Sequence, residues 1–170
     1  MAAGGGPGGI VSQLVRLRDA TVDDLDVIVA KNVAMAMESE GKPLDGHVVR
    51  RGVHRLLLDP GRGRYLVAVD DARTSGGVGV VVGQLMLTRE WSDWRDGWWW
   101  WIQSVYVAPS WRRRGVYRAL HQRVVDEATS TPDVCGVRLY VEPDNVGARA
   151  TYSQLGMIET YRVMELPRST

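Results

Sequence analysis

The chain has 170 residues, 45% of them apolar, and 21 basic side chains nearly balance 20 acidic ones for a net charge of +1. That is enough chain for one domain with a real core, and it lacks the basic excess usual in a nucleic-acid-binding domain. No apolar run approaches the ~20 residues that a membrane helix needs, and Cys135 is the single cysteine, so an intramolecular disulfide is excluded and a reducing compartment fits.

The opening stretch MAAGGGPGGI has neither the basic segment nor the apolar run of a signal peptide. Residues 1–12 read as a disordered lead and 13–167 as a single domain, with the cytoplasm as the default location. Gln13 to Arg18 alternates apolar and polar residues and predicts a first strand. Thr21 is placed as an N-cap with Asp24 in capping-box position. Leu25, Ile28, Val29, Asn32 and Ala36 then mark one face of a helix running to about Ser39, which Gly41 stops. Asp45 caps a second helix with Val48, Val49, Val53, Leu56 and Leu57 as its buried side, ended by Pro60 and Gly61.

Arg64 to Asp70 predicts the second strand, the Gly76-Gly77 pair a turn, and Val78 to Arg89 a third, β-branched strand in which Gly79 and Gly83 mark bulges or close packing. Glu90 to Gly97 reads as a loop holding Trp91 and Trp94. The fourth strand, residues 98–107, would place Trp98, Trp100, Ile102, Ser104 and Tyr106 on one face and Trp99, Trp101, Gln103, Val105 and Val107 on the other. Pro109 ends it. Val116, Ala119, Leu120 and Val124 mark a helix face. Gly136 to Glu142 is a fifth strand, and Asp144 or Asn145 caps a short helix that Gly156 terminates. Met157 to Glu159 and Tyr161 to Leu166 are expected as final strands. Hairpins mixed with helical crossovers imply a mixed sheet.

The stretch from Trp98 to Glu127 organises the rest. An apolar strand runs into Arg112-Arg113-Arg114-Gly115 and then into a helix. Such a turn is either a solvated basic loop or an anion site, because the orphan N–H groups and dipole of the first helical turn favour negative charge. It is neither a Walker loop nor a dinucleotide fingerprint. Val105-Tyr106-Val107-Ala108-Pro109, followed by Arg112-Arg113-Arg114-Gly115-Val116-Tyr117, resembles the acetyl-CoA loop of the GNAT family of N-acetyltransferases, Gln/Arg-x-x-Gly-x-Gly/Ala. Tyr117 departs from the small residue usual there. Asn145-x-x-Ala148-x-x-x-Tyr152-x-x-x-Gly156 is similar to the family's terminal segment, with Met157 in place of an aromatic. The phrases EGKPLD, QLMLTREWSDWRDGWWWWIQSVYV and RGVYRAL resemble a bacterial subgroup with a Trp-rich loop.

The resemblance implies an α/β (α+β) fold, the GNAT-like acyl-CoA N-acyltransferase fold. Its central mixed sheet would be flanked by about four helices in the order β-α-α-β-β-β-α-β-α-β-β. It implies direct transfer from acetyl-CoA, as co-substrate and without a metal, to the amine of a small molecule or peptide. Val105, Tyr106 and Val107 would offer backbone groups to the thioester and pantetheine. Arg112, Arg113, Arg114, Gly115, Val116 and Tyr117 would hold the pyrophosphate, and Asn145 would cap its helix and touch CoA. Tyr152 stands at the family's general-acid position, beside the plainer reading of a core aromatic. Many members carry a Glu as base where this chain has Gln103, and an amide accepts no proton.

Glu38 and Glu40 are therefore the base candidates, with Glu90 and Glu142 behind them, each also readable as a solvated carboxylate. Trp91 and Trp94 are candidates for the acceptor site or for a homodimer contact. No zinc spacing joins His47, His54, His121 and Cys135, and no nucleic-acid or membrane partner is expected. The alternative that Gln103 keeps open is an inactive acyl-CoA-binding or regulatory module of the same fold.

Overall fold

The computed structural model describes residues 15–75 and 78–166. Gln13, Leu14 and the Gly76-Gly77 turn lie outside the described residues. The described elements run β1 (Arg16–Asp19), α1 (Leu25–Glu40), α2 (Gly46–Leu58), β2 (Arg64–Ser75), β3 (Val78–Ser92), β4 (Gly97–Val107), α3 (Val116–Ser130), β5 (Val134–Leu139) and α4 (Val146–Gln154). The order matches the expectation as far as α4. Residues 157–166, expected as strands, carry no strand. The chain divides into two compact units, one ending at Tyr140 and one beginning at Val141.

In the first unit the five strands form one sheet in the order β1-β2-β3-β4-β5. β1 to β4 pair antiparallel, and β5 joins β4 in parallel after the α3 crossover. Each face of the sheet is covered by helices, which is why its central strands are apolar on both faces. Against one face, Val116, Leu120 and Val124 of α3 pack on Leu66, Ala68, Leu85 and Ile102. Against the other, Ile28 of α1 and Val53 and Leu56 of α2 pack around Tyr65. Val48, expected on the buried side of α2, is instead exposed.

Other strand expectations are corrected as well, and β5 runs over Val134–Leu139 rather than Gly136 to Glu142. β3 continues to Ser92, so Trp91 sits in a strand opposite Trp98, where the two rings meet edge to face with centroids 5.0 Å apart; cross-strand aromatic pairing extends the hairpin to its tip. In β4 the alternation of faces breaks. Ser104 lies opposite Met86 and Ile102 opposite Leu87, which leaves Gln103 as an extra residue without a partner on β3. One inserted residue inverts the parity of side chains beyond it. Ile102, Val105 and Val107 therefore share the α3 core, while Tyr106 turns to the α1 side and meets Glu38.

The entry to α1 is held by charge. The Arg18 guanidinium donates to both oxygens of the buried Asp24 at 2.6 and 2.8 Å, and the Thr21 N–H adds a bond of 2.8 Å, the carboxylate half of the expected capping box. Burial alone would raise the Asp24 carboxyl, but Arg18 and the Thr21 amide together hold it below its ordinary range. A lowered carboxyl favours the folded state above the unfolded value of about 3.9 and loses that contribution as pH falls through the folded value. Asp24→Asn is therefore expected to cost roughly 1–3 kcal/mol at neutral pH. In urea titrations the gap from the native protein should close on acidification below about pH 3.9.

Candidate functional site

The extra residue at Gln103 divides β4 into two parts. Residues 98–102 pair with β3 on one edge and with β5 on the other, the last parallel partner being Ile102 opposite Leu139. Beyond the bulge β3 still pairs, up to Gly83 opposite Val107, but β5 has ended. The β4 edge from Gln103 to Val107 thus has no strand beside it among the described residues. The Ala108 N–H donates to Val82 on the β3 side at 2.9 Å. Backbone groups alternate along a strand, so Val105 and Val107 direct their N–H and C=O groups to the open edge. The Nε of Arg112 already donates to the Val107 carbonyl there, at 3.0 Å.

That edge leads through a short 3-10 turn, Pro109–Trp111, to the start of α3. Trp111 is buried in the core and anchors the turn. Gly115 has φ +82° and Arg113 has φ +60°, so the loop reverses through left-handed backbone that favours glycine. Gly83 on β3 lets α3 come close: a Cβ there would stand 2.8 Å from Cγ1 of Val116. The first intrahelical bond is from the Ala119 N–H to the Gly115 carbonyl at 3.0 Å. Earlier amides of the helix are left to a ligand or to water. Tyr117 packs against the core beside His121, so what it offers the loop is backbone, and its bulk does not fill the turn.

The α1 side supplies charge. Glu38 accepts from the Tyr106 hydroxyl at 3.0 Å and from the Arg112 guanidinium. Met35, Glu38, Ser39, Val105, Tyr106, Val107 and Arg112 line a cleft of about 260 Å³. The Arg112 guanidinium holds the Glu38 carboxyl below its ordinary range, with the Tyr106 hydroxyl helping against desolvation. Burial, with Glu38 beside it, pushes the Tyr106 phenol up, so it stays a donor.

Of the other carboxylates, Glu40 is exposed and pairs with Lys42. Glu90 accepts from the Trp101 indole and from Arg138. Gln103 is exposed and donates to the Thr88 hydroxyl at 2.8 Å. Glu38 alone among the base candidates therefore lines the cleft, and it is engaged there. Arg113 and Arg114 are exposed at the turn, with Arg114 over the Trp111 ring at 5.3 Å. Trp91 and Trp94 are not at the cleft. The Trp91–Trp98 pair is separated from Tyr106 by roughly 25 Å of strand, and Trp94 is 88% exposed at the hairpin tip.

In the second unit, Asn145 caps α4 by accepting the Ala148 N–H at 3.0 Å. Tyr152 lies two turns along that helix, half-buried, and burial pushes its phenol up. Glu142, the remaining base candidate, is exposed at the start of this unit. The side chains that the sequence did not single out are Tyr106, as a partner of Glu38, and Lys31, over the Tyr106 ring. Only the bulge turns Tyr106 toward α1, and no spacing in the sequence announces it.

A split parallel strand pair leading to a glycine-hinged helix N-terminus is one feature, and the match of the sequence is another. The profile of the acetyltransferase (GNAT) family matches residues 34–157. The chain belongs to this family. As a GNAT enzyme it is an acetyltransferase, and acetyl-CoA is its co-substrate. It is similar to the crystal structure of a possible acetyltransferase from Clostridium difficile 630, at 41% identity over 92% of this chain and 99% of that one, with TM-score 0.82. Its fold is shared with the aminoglycoside N-acetyltransferase AAC(6')-Iy in complex with CoA, at 18% identity, 92% and 95% coverage and TM-score 0.70. The ribosomal-protein-alanine N-acetyltransferase of Brucella melitensis biovar Abortus 2308 has the same fold at 15% identity, 91% and 99% coverage and TM-score 0.67. No curated protein matches the chain.

The close approach of α3 to the GNAT sheet makes Gly83 a position to test. Gly83→Val is expected to push Val116 outward and weaken acetyl-CoA binding about tenfold, or ~1.4 kcal/mol. Calorimetric titration checks this, with circular dichroism confirming that the sheet persists.

Proposed function

We propose that residues 13–167 act as one N-acetyltransferase domain that passes an acetyl group from acetyl-CoA directly to the amine of a small molecule or peptide. The observation that carries this reading is the open edge of β4 running into the N-terminus of α3. Strand N–H groups are followed by helix N–H groups, in the order that a thioester, amide-bearing chain and pyrophosphate require. The family match runs through both units, which supports treating them as one catalytic domain.

In this reading the N–H groups of Val105 and Val107 hold the thioester and pantetheine oxygens. The amides from Arg113 to Tyr117, with the Arg113 and Arg114 side chains, hold the pyrophosphate. Arg112 supports the loop through Glu38 and the Val107 carbonyl. Tyr106 lends its backbone between the two valines, and Asn145 orders the helix that carries Tyr152. The Tyr152 phenol, protonated at neutral pH, gives a proton to the departing thiolate.

The acceptor ammonium must first lose a proton. Gln103 cannot take it, Glu38 already holds Arg112 and Tyr106, and Glu40 holds Lys42. Water therefore receives this proton rather than a dedicated carboxylate. The Trp-rich hairpin and the RGVYRAL phrase mark a subgroup within the family. Its exposed Trp94 suits a contact between two copies in a homodimer better than a wall of the distant cleft. A chain with one cysteine that consumes acetyl-CoA suits the reducing cytoplasm.

Calorimetric titration with acetyl-CoA tests the reading. Micromolar binding is expected, falling at least about tenfold in Gly115→Glu, where a carboxylate and a side chain at positive φ oppose the pyrophosphate. In an amine screen, Tyr152→Phe should lower kcat by about 10²-fold with little change in the KM for acetyl-CoA. Full activity in that variant removes Tyr152 from the mechanism. Binding without transfer to any amine leaves an acyl-CoA-binding module.

A further inference from the structure

The chain carries nineteen arginines but only two lysines, Lys31 and Lys42. A guanidinium stays protonated and is no acetyl acceptor at neutral pH, whereas a lysine amine becomes one when it is neutral and near a thioester. Both lysines lie on or just after α1. Their surroundings differ. Lys42 is exposed and paired with Glu40. Lys31 is half-buried and has neither an ion-pair nor a hydrogen-bond partner among the described residues. Its Nζ lies 5.4 Å from the centroid of the Tyr106 ring.

Helical spacing puts Lys31, Met35 and Glu38 on one face of α1, and the latter two line the cleft. Tyr106, the residue that Lys31 covers, is flanked by Val105 and Val107, whose N–H groups face the open edge. We propose that Lys31 is an internal acetyl acceptor, modified by acetyl-CoA bound along that edge of β4. The proposal rests on the placement of acetyl-CoA argued above. Desolvation favours the neutral amine over the ammonium and holds Lys31 below the ordinary lysine range.

In the step, the Lys31 nitrogen bonds to the thioester carbon and the C–S bond breaks. The electron pair leaves on the CoA sulfur, and the proton shed by nitrogen goes to that thiolate. The product is an acetyl-lysine amide and free CoA, with no oxidant or further reactant needed. An amide is also neutral, so the half-buried position accommodates it at less cost than an ammonium.

The test follows acetylation of the full chain by acetyl-CoA, using peptide mass spectrometry at Lys31 and Lys42. Acetyl-CoA binding is measured in parallel by calorimetry. Lys31 is expected to gain one acetyl group at least about tenfold faster than Lys42, by proximity. Its first-order rate constant should not change with protein concentration, and it should fall at least about tenfold in Gly115→Glu. Circular dichroism confirms that the variant folds. Binding of acetyl-CoA with Lys31 unmodified, or modified no faster than Lys42, overturns the proposal and leaves the cofactor placement intact. An unchanged Lys31 rate in a folded, non-binding Gly115→Glu shows solution chemistry and also overturns it. Absence of acetyl-CoA binding to the native chain removes the placement and the proposal together.

Discussion

At Gln103 the fourth strand carries a residue that its antiparallel neighbour does not match, and the geometry of the site follows from that mismatch. Before it, β4 is a central strand with both edges paired. After it, only β3 remains alongside, and β5 has ended at Leu139. A strand edge inside a protein is costly when its N–H and C=O groups find no partner. Here the unpaired edge is short, and its Val107 carbonyl takes the Arg112 side chain. The edge therefore stays open to a ligand that can supply the missing bonds.

The same mismatch sorts the chemistry onto two faces. Val105 and Val107 drop into the apolar layer under α3, which fixes the backbone on which the open edge depends. Tyr106 turns the other way, into a polar layer beneath α1. There Gln84, fully buried, donates to Asn32 at 2.7 Å, and Asn32 donates to the Tyr65 hydroxyl at 2.9 Å. These two hydrogen bonds tie α1 to the sheet. They hold Lys31 and Glu38 along Tyr106. The hairpin before the bulge is stiffened differently. The Arg138 guanidinium lies 3.9 Å from the Trp99 ring centroid, and Trp101 stacks on Tyr140.

Charge in the site is arranged for holding rather than for proton abstraction. A carboxylate bound to a guanidinium and a phenol is a poor acceptor of a further proton, since protonation would break both contacts. Glu38 is in that position. The basic turn, by contrast, leaves Arg113 and Arg114 exposed at the start of a helix whose first amides have no intrahelical acceptor. Fixed donors for an anion are built into the fold.

Legible in the residues alone are the order of elements through α4, the helix cap at Asp45, a cap for α4 at Asp144 or Asn145, and the glycine-hinged turn at Gly115. Each rests on neighbouring residues: a carboxylate or amide reaching its own amides, a period of 3.6 or 2, or a positive φ that glycine accepts. Local physics of this kind is written in spacing. Tertiary structure alone decided the rest. A bulge depends on which residue of β3 faces which residue of β4, so the parity beyond Gln103, the direction of Tyr106 and the open edge were not legible. Trp91 went to a strand because Trp98 faces it across the hairpin. Glu38 is not a free base because Arg112, distant in sequence, folds back onto it. These are long-range pairings, and a one-residue shift in register would change all of them.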